Sequence, residues 1–370
     1  MALKIALLGD ICLTGKFDLE SNPEAYKQFD QIKSVLDGHD LVLANLESPL
    51  TNLGSSWVCK AIHIKSPPVN TRLLQHLGVS AVSLANNHIF DYGYQGHRST
   101  IDALDAAGIG HFGTQGRQLA LEKNNEKLLL GGYCCLSAHP SKASNRGVNT
   151  LNLPSFERFL DDARARGAFP VASVHWGDEN IHYPREDHVH FARLMAAEHA
   201  YILHGHHPHV IQGVERNGSS LIAYSLGNFC TDEHTSQSIR NMTVRHTPGN
   251  QQCYLLSVTI ENAEIIDHDV IPIEDVGDAL VIQGQDAQNT IESYSACLGK
   301  SGTPYKRPLQ AATITKVQNP SVPRRFSLPW FALRINYHFI GAFLKGLINR
   351  IRYQLYFSAV RQKAAEKGIA

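Results

Sequence analysis

Short continuous apolar runs of three to five residues recur along this chain of 370 residues, separated by segments whose apolar positions fall three and four apart. The first kind reads as buried strand and the second as amphipathic helix. Residues 5–8 predict a first strand that ends at Gly9-Asp10, and residues 23–36, with Phe29, Ile32, Val35 and Leu36 on one face, predict a helix. Residues 41–44 predict a second strand running straight into Asn45-Leu46-Glu47. A short helix over 70–77 stopped by Gly78, a strand over 81–85 ending in Asn86-Asn87-His88, and a helix over 99–107 closed by Gly108 follow. After a less regular stretch come a helix over 154–166, a strand over 171–174 ending in His175-Trp176-Gly177, a helix over 185–200 and an apolar run at 201–203. Strands alternating with helices of this length imply an α/β fold with a largely parallel sheet and helices on its faces.

The run at 201–203 delivers the chain to His204-Gly205-His206-His207-Pro208-His209, which is poor material for a buried helix or strand and is expected to be a tight loop. Imidazole is the commonest metal ligand, and residues two apart in extended backbone point the same way, so His207 and His209 are expected to converge. Alone, such a run could equally be a polar surface loop. However, ligands of open α/β sheets bind beyond the carboxyl ends of the strands. Asp10, Glu47, Asn87, His88, His175, His207 and His209 each follow a predicted strand by a few residues. Turn chemistry would favour Gly, Ser and Pro at these places, whereas a mixed Asp/Glu/Asn/His set suits manganese, iron or zinc, one ion or two. Trp176 and Glu179 are placed to meet a substrate, with packing as the other role for Trp176. Residues 224–229 are expected to close the core, Ser225 being structural rather than catalytic. Asn217-Gly218 marks a hairpin, and residues 253–273 read as two β runs turned at Glu261-Asn262.

Composition adds less. Hydrophobic residues at 43% and charged residues at 18% describe an ordinary globular protein. The net charge is zero, yet residues 321–370 hold nine Lys/Arg against one acid, leaving a mildly acidic body. Seven cysteines without paired zinc-type spacing suggest reduced thiols, with Cys134 and Cys135 in the core. The first apolar run is too short for a signal-peptide core, so a cytoplasmic protein is expected. No phosphate loop, nucleotide fingerprint or nucleic-acid motif stands out.

Gly9-Asp10-Ile11, Asn45-Leu46-Glu47, Ser83 to His88 with Asp91-Tyr92-Gly93, His175-Trp176-Gly177, His206 to Gln212 and Tyr224 to Phe229 occur in an order that resembles the CapA (poly-γ-glutamate capsule synthesis) family, a branch of the calcineurin-like metallophosphoesterases. The resemblance covers roughly residues 3–235. It implies a four-layer α/β/β/α sandwich of the metallophosphoesterase type with a metal site at one edge. Asn87-His88 looks like the superfamily's Gly-Asn-His motif, whose Asn binds metal and whose His assists the leaving group, which makes His88 the catalytic candidate. The last histidines look like its Gly-His-x-His motif, with His206 or His207 as the penultimate ligand; spacing favours His207 with His209. Asp10, Glu47, Asn87, His175, His207 and His209 are then the metal candidates, with Asn45, Cys12, His206 and Glu179 as further site residues. Two positions depart from the superfamily: Cys12 stands where a His is usual, and Asn45-Leu46-Glu47 where Gly-Asp is usual. The organisation expected is a catalytic-type domain over 1–240, a β-rich extension with a helix over 241–320, and a basic amphipathic tail over 321–370. The function expected is metal-dependent hydrolase or transferase chemistry on a small molecule or an anionic, poly-γ-glutamate-like polymer of the cell envelope. The alternative is a non-catalytic polymer-binding or assembly component that keeps a structural metal.

The tail is read from its residues. Ile340, Leu344, Leu347, Ile351 and Leu355 recur at helical steps among aromatic and basic residues. The stretch free of charge, 335–344, is too short to span a bilayer, which needs about 20 apolar residues. Members of the family usually carry an N-terminal membrane anchor, and this tail is expected to supply a peripheral contact with the inner face of the membrane instead. Docking on its own domain or on a second subunit in an oligomer explains the stripe as well, though not the excess of cations.

Overall fold

A computed structural model describes residues 2–56, 60, 62–138, 140, 147–236, 243–298 and 337–369. Strand β1 (Leu3–Ile11), β2 (Leu41–Leu46), β3 (Val79–Ser83) and β4 (Gly110–Phe112) run parallel and side by side, joined through helices α1 (Asp30–Leu36), α2 (Thr71–His76) and α3 (Gly93–Ala106). The predicted helix over 23–36 is two pieces, a 3₁₀ turn at Ala25–Phe29 and then α1. Gln28 is buried in the 3₁₀ turn and donates from its amide to the Lys16 carbonyl at 2.7 Å.

A hairpin then starts the second sheet: β5 (Leu119–Lys123) and β6 (Glu126–Cys134), with Asn124 and Asn125 both left-handed (φ 54 and 66°), as a tight two-residue turn demands. Helix α4 (Leu153–Ala165), β7 (Phe169–His175), α5 (Glu186–Ala196) and β8 (Ile202–His206) follow, β6, β7 and β8 being parallel. Asn152 caps α4 by accepting from the Ser155 amide at 3.0 Å. Strands β9 (Val214–Asn217) and β10 (Ser220–Ala223) form the hairpin predicted at Asn217-Gly218 and finish this sheet in the order β5-β6-β7-β8-β10-β9. The short β11 (Asn228–Cys230) returns to pair with the end of β1. Two short strands, β12 (His234–Thr235) and β13 (Thr243–Val244), make a separate ribbon. Strands β14 (Gln252–Glu261), β15 (Glu264–Asp275) and β16 (Leu280–Ile282) join the first sheet, with β14 antiparallel beside β1. The β14–β15 turn falls at Asn262 and Ala263, one residue later than expected, and the Glu126 carboxylate accepts from both amides at 2.6 and 3.0 Å. Helices α6 (Gln285–Ser295) and α7 (Tyr337–Glu366) complete the described chain.

Layering follows from the two-residue period of the strands. On β1, Ile5 and Leu7 join the core shared with Leu130, Val171, Ile202 and Leu221 of the other sheet, whereas Ala6 and Leu8 face Ile32, Leu73, Leu77 and Leu104 under the first helices. On the far sheet, Ala172, Val174 and Leu203 pack against Phe156, Phe159, Val189 and Phe191 of α4 and α5. Three apolar layers separating helix, sheet, sheet and helix define the four-layer α/β/β/α sandwich. The two sheets present the carboxyl ends of β1, β2, β3, β7 and β8 at a common edge, where contacts between their residues cross from one sheet to the other.

Candidate metal centre

The histidine run is not a loop throughout. Strand β8 continues through His206, because His204 is buried with Nε2 2.7 Å from the Leu8 carbonyl and Gly205 lies against Tyr224. A Cβ at Gly205 would stand 2.0 Å from the Tyr224 carbonyl oxygen, so only glycine lets the strand pass. The chain turns at His207 and His209, whose φ values are 96° and 58°. These two rings therefore converge through left-handed turn backbone rather than through the extended geometry expected. Positive φ in a non-glycine residue is costly and persists only where surroundings enforce it. Here the His207 amide donates to Asp10 Oδ2 at 3.1 Å, and the Asn180 amide donates to the Pro208 carbonyl at 2.7 Å.

The predicted residues meet at one place. His209 Nε2 and His175 Nε2 lie 3.7 and 3.8 Å from Glu47 Oε1, and His209 Nδ1 lies 3.6 Å from Asp10 Oδ2. Glu47, His207 and His209 each offer a ligand atom, all within 4.8 Å of one another. Asn87 joins through Oδ1, 3.0 Å from His175 Nε2, and the His175 and His207 rings are 4.7 Å apart. Asn45 donates from its amide to Asp10 Oδ1 at 2.8 Å, which makes it a brace for that carboxylate. His206 sits with Nδ1 3.3 Å from Asp10 Oδ1. Cys12 faces Thr14 and the imidazole of His234, 3.6 Å from Nε2, and burial next to Glu47 raises its thiol pKa, so it offers no ready thiolate. Glu179 is exposed and acts on Glu47, His207 and His209 by its charge.

Polar atoms buried without a hydrogen-bond partner are rare and cost about 1–3 kcal/mol each, more when charged. Here both Glu47 oxygens, both His206 nitrogens, His175 Nδ1 and His207 Nδ1 have none. Glu47 and His207 are among these, and with His209 they bring one ligand atom each within 4.8 Å of one another, a donor set that could hold a divalent cation. Burial, aided by the Asp10 and Glu179 charges, raises the Glu47 pKa to about 8 against the pull of His209 and Lys60. Burial acts to lower His209, but the Glu47, Asp10 and Glu179 carboxylates raise it to about 9. Burial, with His209 beside it, takes His207 down to about 4, so that ring is neutral at pH 7. Asp10 is held well below the carboxylate range by His206, His175 and His209 despite its burial.

His88 stands at the rim with Nε2 4.0 Å from Glu47 Oε1. Its Nδ1 is 2.6 Å from Asp91 Oδ2, and Lys60 donates to Asp91 Oδ1 at 2.8 Å and to the Asn87 carbonyl at 3.0 Å. Asn86 accepts from the His88 and Ile89 amides at 3.1 and 2.9 Å and donates to the Leu46 carbonyl at 2.8 Å, which fixes the loop that presents Asn87 and His88. Burial and the Lys60 ammonium lower the His88 pKa. Asp91 is lowered to about 2, since the His88 and Lys60 charges outweigh its burial. Sequence reasoning gave Asp91 and Lys60 no role; the three-residue step from His88 to Asp91 was the available signal, while Lys60 comes from a remote loop. Asn228 donates to the Asn250 carbonyl at 3.2 Å and also orients His209 through Oδ1 at 2.9 Å. Trp176 is wholly buried, stacked on His188 at 4.5 Å, and so packs rather than meeting substrate. Ser225 donates to the Val210 carbonyl at 2.8 Å, a structural bond.

Fold and site together define an α/β/β/α sandwich with a carboxylate and imidazole cluster at its strand ends. Residues 4–233 match the family of bacterial capsule synthesis proteins PGA_cap, and the chain belongs to that family. It is 27% identical over 243 residues to the PGA biosynthesis protein CapA of Bacillus subtilis (strain 168), covering 62% of this chain and 64% of that one. It is 26% identical over 251 residues to the capsule biosynthesis protein CapA of Bacillus anthracis, covering 64% and 61%. A probable polyglutamine synthesis accessory protein of Mycobacterium tuberculosis is 29% identical over 216 residues, covering 52% and 56%. The matched region thus spans less than two thirds of each of these relatives. A solved protein of Thermus thermophilus aligns with 71% of this chain and 100% of its own at 11% identity and a TM-score of 0.39.

Proposed function

We propose that this chain is a metal-dependent enzyme of capsule or envelope polymer synthesis, cleaving or transferring a bond of an anionic, poly-γ-glutamate-like polymer or its precursor. The observation that carries the reading is the buried Glu47 carboxylate, with both oxygens unpartnered and three imidazoles gathered around it. The names of the relatives support the polymer class. Asp10, Glu47, Asn87, His175, His207 and His209 would hold manganese, iron or zinc, whose part when bound is to polarise the reacting carbonyl or phosphoryl group and lower the pKa of water.

The chain's own residues handle orientation and the proton. Asp91 takes the Nδ1 hydrogen of His88, and Lys60 pins Asp91, so Nε2 is left as the nitrogen that faces the reacting groups. Nε2 passes a proton to the leaving group only from the imidazolium form, which the Asp91 carboxylate on Nδ1 supports, and it takes the proton back from water when the ring is neutral. Asn45 keeps Asp10 in place, and Asn228 keeps His209 in place. The test is turnover of a γ-linked glutamate oligomer and of a phosphate ester by metal-loaded wild type and His88→Asn. Loss of turnover in the variant with metal retained supports the reading, whereas wild type inert toward both substrate classes with metal bound favours a non-catalytic, polymer-binding component.

A further inference from the structure

Helix α7 carries two opposed apolar stripes, and the fold covers one of them. Tyr353, Phe357, Val360 and Ala364 are buried, the first three against Trp176, Val189 and Phe191 in the outer core beside α5. Their flanks are tied down: Tyr353 Oη donates to Asp187 Oδ2 at 3.3 Å, Arg361 pairs with Asp187, and Lys363 lies 3.3 Å from Glu157. At about 100° per residue, Leu344, Leu347, Ile348, Ile351 and Leu355 fall on the opposite face. All five are exposed, from 48% at Leu347 to 68% at Leu355. This is the stripe legible in the sequence, whereas the face that docks is the other one. Arg350 and Arg352 are exposed on either side of it.

Five aliphatic side chains in one exposed row exceed the scattered apolar residues of an ordinary surface. A second copy of the chain is a poor occupant, because a symmetric contact through this stripe would bring the same arginines together across the interface. Arg350 and Arg352 flank the stripe, and the one acid in α7, Glu366, lies at its far C-terminal end, so the matching surface is anionic. No helix of the described residues is long and apolar enough to cross a membrane, so the contact is one of lying on the surface. We propose that α7 seats the protein on an anionic lipid surface, its outer aliphatic stripe entering the headgroup boundary while Arg350 and Arg352 reach lipid phosphates.

The experiment is co-sedimentation of the full chain with vesicles of phosphatidylcholine, with and without phosphatidylglycerol, at low and high salt. Wild type is expected to pellet with the anionic vesicles at low salt and to stay in solution with the neutral ones. Leu347→Glu with Ile351→Glu should abolish pelleting, and Arg350→Gln with Arg352→Gln should weaken it about thirty-fold, as two cations at about 1 kcal/mol each require. Both variants should keep the wild-type unfolding temperature, because these side chains point away from the core. Wild type remaining in the supernatant with anionic vesicles would overturn the proposal. So would a glutamate variant that still pellets, or a concentration-dependent dimer that the glutamates abolish in a protein without vesicle binding.

Discussion

Replacing Glu47 by Gln should remove a loss of stability with rising pH from the metal-free protein. The Glu47 carboxyl has its pKa raised by burial from 4.5 to about 8. An acid raised on folding binds its proton more tightly in the native state, so its stabilisation is complete below pH 4.5 and is lost as pH rises toward 8. At about 1.36 kcal/mol per pKa unit, the loss across that window is bounded at about 5 kcal/mol. His209, raised to about 9 chiefly by the Glu47 charge against the effect of its own burial, adds a loss of the same sign at higher pH. Urea unfolding of chelator-treated protein between about pH 5 and 8.5 should show the stability of wild type falling relative to that of Glu47→Gln as pH rises, the buried histidines whose pKa is lowered contributing alike to both. Added divalent ion should invert the wild-type trend, since cation binding displaces the protons that the pair holds. Parallel profiles for wild type and variant without metal would refute the assignment of Glu47 as the proton-loaded carboxylate of the site.

Three other outcomes are expected. His209→Ala should cut bound metal sharply while circular dichroism stays native, and unchanged stoichiometry would remove His209 from the ligand set. His88→Asn should retain metal and lose on the order of 10²-fold or more in turnover; equal loss of metal would make His88 a ligand. Phe357→Ala, at a wholly buried ring 5.4 Å from His188, should cost about 3–5 kcal/mol and release the C-terminal half of α7 to proteolysis. A shift under about 1 kcal/mol would show that this half of the helix is not docked as described.

The strand ends were legible because buried parallel strands are largely apolar runs, and polar residues interrupt or follow them at the shared edge: Asp10 in β1, Asn45 in β2, Ser83 ending β3, His175 ending β7 and His206 ending β8. The β5–β6 hairpin was passed over although Asn124-Asn125 can supply two left-handed turn residues, because its first strand mixes apolar and charged residues and shows little burial. His207 and His209 were paired correctly in space by an argument from extended backbone that their φ values do not obey. The reach of β8 through His206 was hidden, since two of its inward groups are satisfied only by partners far in sequence: His204 by Leu8, and Gly205 by close passage of Tyr224. Lys60 and Asp91 show the same limit, as a loop residue meets a carboxylate 31 positions away. Along α7, periodicity revealed a stripe without saying which face the fold would take.

The central claim is that Glu47, His175, His207 and His209 form a divalent-metal centre. Elemental analysis of untagged protein, for wild type and for Glu47→Gln, tests it most directly. About one or two equivalents of manganese, iron or zinc in wild type, falling several-fold in the variant, is the predicted result. Wild type that is empty on purification and takes up none of these ions at micromolar concentration would contradict it.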